Sequence, residues 1–206
     1  MCSSDLVARG KPVDKMGQRA LNQGALSFED VRVPDRHMLT DPSLYEFVLD
    51  RALALASGVT AAIATGVARA AYEAALEHAQ TRTQGGKPLA EHELVQKRLF
   101  EMFTRIEASR ALSRAVLAYD HAVVPPSTEH AIAAKTFCTE TALEVASGAV
   151  QLLGGSGLTR ERPVEKLFRD ARASLIACGS NDVLALVAAR RILARATHPP
   201  GVRGAA

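Results

Sequence analysis

The run Gly154-Gly155-Ser156-Gly157 cannot continue the apolar helix that leads into it. Consecutive glycines favour positive backbone angles and offer no side chains to pack, so the apolar helix running into them has to stop there. The stop leaves bare backbone whose amides suit a phosphate or an amide-rich ring, although turn chemistry alone is better explained by a plain helix C-cap. Residues 151–195 then read as a glycine turn, a short charged helix and a final amphipathic helix. Everything before them reads as scaffold.

Taken in order, the chain becomes β-like after Met16. Residues 24–28 alternate, Glu29-Asp30 turns, Val31-Arg32-Val33 alternates again and Pro34 stops the pattern. Two such strands do not make a stable sheet alone. Asp41-Pro42 opens a long helix, because Asp accepts from first-turn amides and Pro loses nothing there. Its expected stripe is Val59, Ile63, Gly66, Val67 and Ala70, ending near Thr83. Pro88 restarts a second helix striped by Val95, Leu99, Met102, Phe103 and Ile106, running to about His121. Pro125-Pro126 breaks it, and Ser127 is expected to cap a third helix with Ile132, Leu143, Ala146, Val150 and Leu153 inward. Pro163 opens a short helix to about Arg172, and Ser180 with Asp182 opens the last, striped by Val183, Leu186, Val187 and Arg190. Three long helices and a shorter one, each with one apolar face, predict a mainly α fold: a four-helix bundle over residues 41–195, preceded by two β-strands within residues 7–40. Residues 1–6, MCSSDL, match nothing that follows and read as a non-native leader, while residues 196–206 read as a disordered tail.

Composition excludes several classes of function. The net charge of +3 comes from arginines interleaved with acids, and aromatics make up only 4%, so neither a one-signed stripe nor a stacking platform for nucleic acid exists. The longest uncharged run, residues 52–68, falls short of the ~20 residues of a membrane span and carries polar and glycine positions. Cys2, Cys138 and Cys178 have no metal-ligand spacing, and a sparse, odd count suits a reducing compartment, the cytoplasm. A di-iron bundle needs Glu-x-x-His pairs, but Ala75, Leu89, Ala118 and Ser127 stand three before His78, His92, His121 and His130, so no metal site is expected. Those histidines read as surface or capping residues. No serine elbow, phosphate loop or HExxH motif occurs.

Read together, Gln151-x-x-Gly154-Gly155-x-Gly157 and Arg160-x-x-Pro163-Val164-Glu165-Lys166-Leu167-x-Arg169-Asp170-Ala171-Arg172 resemble the C-terminal domain of the acyl-CoA dehydrogenase family. Arg82-Thr83-Gln84-Gly85-Gly86-Lys87-Pro88-Leu89 and Phe28-Glu29-Asp30-Val31-Arg32-Val33-Pro34 extend the resemblance over residues 15–193. It implies an FAD-dependent oxidoreductase that desaturates an acyl-CoA thioester between its α and β carbons. It also implies that residues 7–40 are the last strands of a middle β-domain whose earlier part precedes Met1, making this chain a truncated fragment. By the same resemblance, Gln151, Gly154 and Gly155 lie against the adenosine-diphosphate half of an FAD bound mainly by a neighbouring subunit, and Arg82 reaches its pyrophosphate with Gln84 beside it. A guanidinium suits that task because its planar donors grip phosphate oxygens in pairs. Gly85 departs from the phenylalanine usual in the family and removes a stacking surface. Ser180 is implied to belong to the same flavin site.

Residues 176–180 are the main departure. The family has an aromatic, the catalytic glutamate, glycine and threonine there, whereas this chain has Ala177 and Cys178. Some relatives carry the glutamate on the first long helix, but the matching positions are Ala56 and Ser57. A thiol of ordinary acidity is mostly protonated at neutral pH and makes a poor base, so Cys178 reads as a plain small cysteine and the catalytic residue stays unassigned. The implied partners are an acyl-CoA substrate, an oligomer of like subunits (a tetramer or dimer) or a catalytic partner subunit, and an electron-transfer flavoprotein as acceptor. The alternatives are a non-catalytic subunit of a heteromeric acyl-CoA dehydrogenase and a flavin-dependent oxygenase of the same fold, which does without the glutamate.

Overall fold

A computed structural model describes residues 7–197, so the expected leader and all of the expected tail beyond residue 197 lie outside the described residues. Asp41 accepts from the Ser43 amide at 2.8 Å, and the 3-10 turn Pro42–Leu44 feeds directly into α1 (Tyr45–Thr81). A two-residue hairpin, β3 (Thr83–Gln84) and β4 (Lys87–Pro88), then reverses the chain. Gly85 (φ +64°) and Gly86 (φ +83°) form its turn, which needs two left-handed residues and so demands glycine-like positions. Next come α2 (Glu93–Ala122), α3 (Thr128–Leu153), the 3-10 turn Gly154–Leu158, α4 (Pro163–Ser174) and α5 (Asn181–Thr197). The helix α3 touches each of the other four, and its longest seam is with α1. The fold is mainly α, a helical bundle with two small antiparallel sheets among the described residues.

The seam is built from alanine. On α1, Ala61, Ala64, Ala68, Ala71, Ala75 and Ala79 are at most 1% exposed, and on α3 Ala131, Ala134, Ala142, Ala146 and Ala149 are fully buried. Spacings of three and four keep these residues on one face of each helix, and methyl side chains let the backbones approach closely. This corrects the expected α1 stripe: Val59 is 43% and Ile63 59% exposed, and Gly66 is exposed too. A shift of one residue turns the face by about 100°, enough to put Ile63 outside while Ala64 lies inside. The last helix is corrected in the same way, since Val183, Leu186 and Arg190 are exposed while Leu184 and Ala188 are buried against Ile132. In α2, Leu99, Met102 and Ile106 are buried as expected, whereas Phe103 sits at the rim with its ring 6.4 Å from that of Tyr72.

The strands differ from expectation. Leu26–Phe28 forms β2, but its partner is β1 (Val7–Arg9), and residues 31–33 are irregular. Nothing in the period-two pattern of a three-residue run says which segment it pairs with. The Ser127 side chain precedes α3 without accepting from a helix amide; its hydroxyl instead donates to Glu129 Oε1 at 3.0 Å. Helix α5 continues through residues 196 and 197, which the sequence assigned to the tail. By length and composition α1 is apolar enough to cross a bilayer, and its alanine face is occupied by α3.

The alanine seam yields a paired prediction. Ala68→Leu, at a fully buried position, is expected to cost ~1–3 kcal/mol by overpacking, whereas Ile63→Gln stays within ~0.5 kcal/mol. Urea unfolding of both variants checks this, and a larger loss for Ile63→Gln would mean that the seam is misassigned.

Candidate functional site

Three groups of side chains emerge, each at the end of a helix. At the end of α1, Arg82 is the C-cap, its amide bonded to the His78 carbonyl at 2.9 Å, and its side chain is exposed. Gln84 follows on β3, also exposed, and its carbonyl lies 3.0 Å from His92 Nε2. One helical turn before Arg82, His78 is half-buried, and its pKa is held below the ordinary histidine value by burial first, then by the positive charges of Arg162 and Arg82. Arg162 belongs to the segment just after the glycine turn, so the end of α1 and the start of α4 share one electropositive patch. Sequence reasoning missed His78 and Arg162. The available signal for His78 was its i, i+4 relation to Arg82, while Arg162 was hidden among the acids around it.

The second group is the turn after α3. Gly154 adopts φ +59° and ψ −137°, a conformation open essentially to glycine alone, and ends the helix. Gly154 and Gly155 are exposed, and a side chain added at either would meet nothing within 4 Å. Gln151, on the last turn of α3, is exposed as well. The arrangement is open backbone at the C-terminal end of α3 beside an exposed amide side chain.

The third group is the loop between α4 and α5. Cys178 sits at φ +56° with an exposed side chain, followed by Gly179 at φ +105° and half-buried Ser180, whose carbonyl accepts from the Leu184 amide at 3.0 Å. Cys178 lines a cleft of roughly 450 Å³ together with Met16, Gln18, Arg172 and Ile176. The opposite wall is the segment at Gly17, clipped to α4 by Gln18 N donating to Asp170 Oδ1 and Arg169 Nη1 donating to the Met16 carbonyl, both at 2.5 Å. A Cβ at Gly17 would lie 2.1 Å from the Arg169 carbonyl oxygen, so this approach requires glycine. Ser57 is fully buried in α1 and Ala56 half-buried, and neither side chain carries a carboxylate. Cys138 is buried in α3, where burial pushes its thiol pKa up. Among the described residues, no cluster of three metal-ligating side chains occurs.

With this geometry in place, comparison with known proteins is direct. The pattern of the family described as "Acyl-CoA dehydrogenase, C-terminal domain" matches residues 48–193. Cyclohexane-1-carbonyl-CoA dehydrogenase of Geobacter metallireducens is 33% identical over 188 residues, 91% of this chain and 49% of the relative. Benzylmalonyl-CoA dehydrogenase of Aromatoleum aromaticum is 37% identical over 185 residues, 89% of this chain and 48% of the relative. The structure of butyryl-CoA dehydrogenase from Megasphaera elsdenii superposes with a TM-score of 0.87 at 32% identity, covering 93% of this chain and 50% of that one. The helical bundle and its glycine turn are thus those of a flavoprotein oxidoreductase fold, and this chain belongs to the acyl-CoA dehydrogenase family. Members of that family are FAD-dependent. The chain spans about half the length of the curated relatives it matches.

The electropositive patch has a measurable consequence. A histidine whose folded pKa lies below its unfolded value is protonated first in the unfolded chain, so this contribution to stability is lost as pH falls below the ordinary histidine range. Removing Arg162 takes away one of the charges that depress His78. The His78 imidazole should therefore titrate at higher pH in Arg162→Met than in the parent, as read from its NMR shifts. An unchanged midpoint would separate Arg162 from the patch.

Proposed function

We propose that this chain is the C-terminal helical part of an FAD-dependent acyl-CoA dehydrogenase acting on an acyl-CoA thioester, working as an oligomer in the cytoplasm with an electron-transfer flavoprotein as acceptor. The observation that carries this reading is the family match over residues 48–193, accompanied by an open glycine turn after α3 and by the arginines around His78 at the end of α1. Residues 41–195 form the bundle domain in this reading, and residues 7–40 the edge of a β-domain. Arg82 and Gln84 would hold the pyrophosphate of a flavin seated mainly on a neighbouring subunit, Gln151, Gly154 and Gly155 would lie against its adenosine half, and Ser180 would complete the set. Arg162 adds positive charge in the neighbourhood of Arg82 and His78. When bound, the flavin supplies the acceptor for hydride leaving the β-carbon.

The chain's own task is to grip phosphate oxygens and to present residue 178 to the cleft. Abstraction of the α-proton needs a base held against the substrate carbon, and Cys178 stands where the family places its glutamate. With no carboxylate at residue 178, 56 or 57, a second reading gains support: a subunit that lends flavin contacts to a catalytic partner.

Two measurements on the whole flavin-loaded enzyme, of which this chain is the proposed C-terminal part, test these readings. Arg82→Ala should lose FAD on dialysis and loosen the assembly together; unchanged flavin content would remove Arg82 from the site. The parent should bleach its flavin with acyl-CoA slowly, because lack of a positioned base typically costs ~10²–10⁴ in rate, and Cys178→Glu should speed it within the limits of the added volume. Fast bleaching that survives Cys178→Ala would place the base elsewhere.

A further inference from the structure

Lys135, in the N-terminal third of α3, is fully buried, an uncommon place for an ammonium group. Its Nζ donates to the Gly179 carbonyl at 2.7 Å, to Asn181 Oδ1 at 2.7 Å and to the Leu175 carbonyl at 3.2 Å. Three donors thus meet three acceptors, the condition under which a buried charge is tolerated. The acceptors lie on one loop, and the two carbonyls bracket Ile176-Ala177-Cys178. Leu175 O also accepts from the Asn181 amide at 3.0 Å, closing the loop at its base. Asn181 is oriented in turn, since its Nδ2 donates to Thr139 Oγ1 at 3.0 Å and that hydroxyl donates to the Lys135 carbonyl at 2.9 Å. The ammonium also sits against the C-terminal end of α4, where a cation is favoured by the helix dipole.

Cys178 and Gly179 occupy left-handed backbone conformations in succession, which a non-glycine residue adopts only when its surroundings over-determine it. The bridge from Lys135 to both flanks of Cys178 is that over-determination. We propose that Lys135 is a positioning residue: its ammonium draws the flanking carbonyls of the 175–181 loop inward, so that the loop bows outward and presents residue 178 to the cleft. A hydrophobic side chain at residue 135 would take the shared donor from all three acceptors and leave the Leu175 carbonyl only the Asn181 amide, so the Gly179 flank of the loop would lose its tether to α3.

The consequence for chemistry rests on the acyl-CoA dehydrogenase reading, but the positioning itself does not, and the test keeps them apart. In the 206-residue chain, Lys135→Met and Asn181→Ala are compared with the parent by amide hydrogen exchange and by the ¹⁹F resonance of a trifluoroacetonyl group on Cys178, with Cys2→Ser present throughout and Cys138 protected by burial. Lys135→Met should speed exchange of the 175–181 amides at least tenfold while the α1 amides facing α3 keep their protection, and the single ¹⁹F line should broaden or split. Asn181→Ala, which removes one acceptor and leaves two, should give a smaller change of the same kind and serves as the readout if Lys135→Met does not fold. Equal loss of protection in the loop and in α1, the mark of a merely structural lysine, would overturn the proposal. So would loop exchange and a ¹⁹F line that stay unchanged in a folded variant.

Discussion

The alanine seam between α1 and α3 sets how closely two long backbones lie, and every candidate functional loop hangs from it or from a helix docked on it. Alanine gives up no side-chain rotamer freedom on burial, so a seam of methyl groups orders the bundle at little side-chain entropic cost while bringing many backbone atoms into contact. Ala61 to Ala79 on one side and Ala131 to Ala149 on the other define that contact. The helices α2, α4 and α5 are then placed against α3, and the loop between α4 and α5 carries Cys178 to its position.

That arrangement explains why the candidate residues are distributed as they are. Arg82 sits where α1 ends, Gly154 and Gly155 where α3 ends, and Cys178 where α4 ends. Helix ends supply unpaired backbone groups and irregular dihedrals, and a rigid bundle holds them at fixed separations. The His78, Arg82 and Arg162 patch and the cleft at Cys178 therefore depend on the same packing without sharing a side chain. The clip from Gln18 and Met16 to α4 adds the one wall of the cleft that the bundle does not provide.

Much of this was legible in order along the chain. Prolines and glycines mark where helices begin and stop through local backbone restriction, so Asp41-Pro42, Gly85-Gly86, Gly154 and Pro163 were placed to within a few residues. The faces were not. On α1 the larger Val59 and Ile63 outweighed the alanines in any count of apolar weight, and on α5 Val183 and Leu186 did the same to Leu184 and Ala188. Period alone gives the width of a stripe; which stripe is buried depends on the shape of the neighbour that covers it.

The sequence by itself determined the helical class, the breaks between helices, the motif that ties the chain to its family and the absence of a carboxylate at Cys178, because each of these is local or is a matter of residue identity. Only the tertiary structure decided that alanine faces the core, that β1 rather than residues 31–33 pairs with β2, and that Arg162 reaches the neighbourhood of His78. It also decided the role of Lys135, which in the chain is a lone cation between alanine and threonine and in the fold has its three acceptors some 40 residues away. Hydrogen-bond complementarity across such separations leaves no periodic trace in a sequence, since the acceptors are backbone carbonyls that every residue carries.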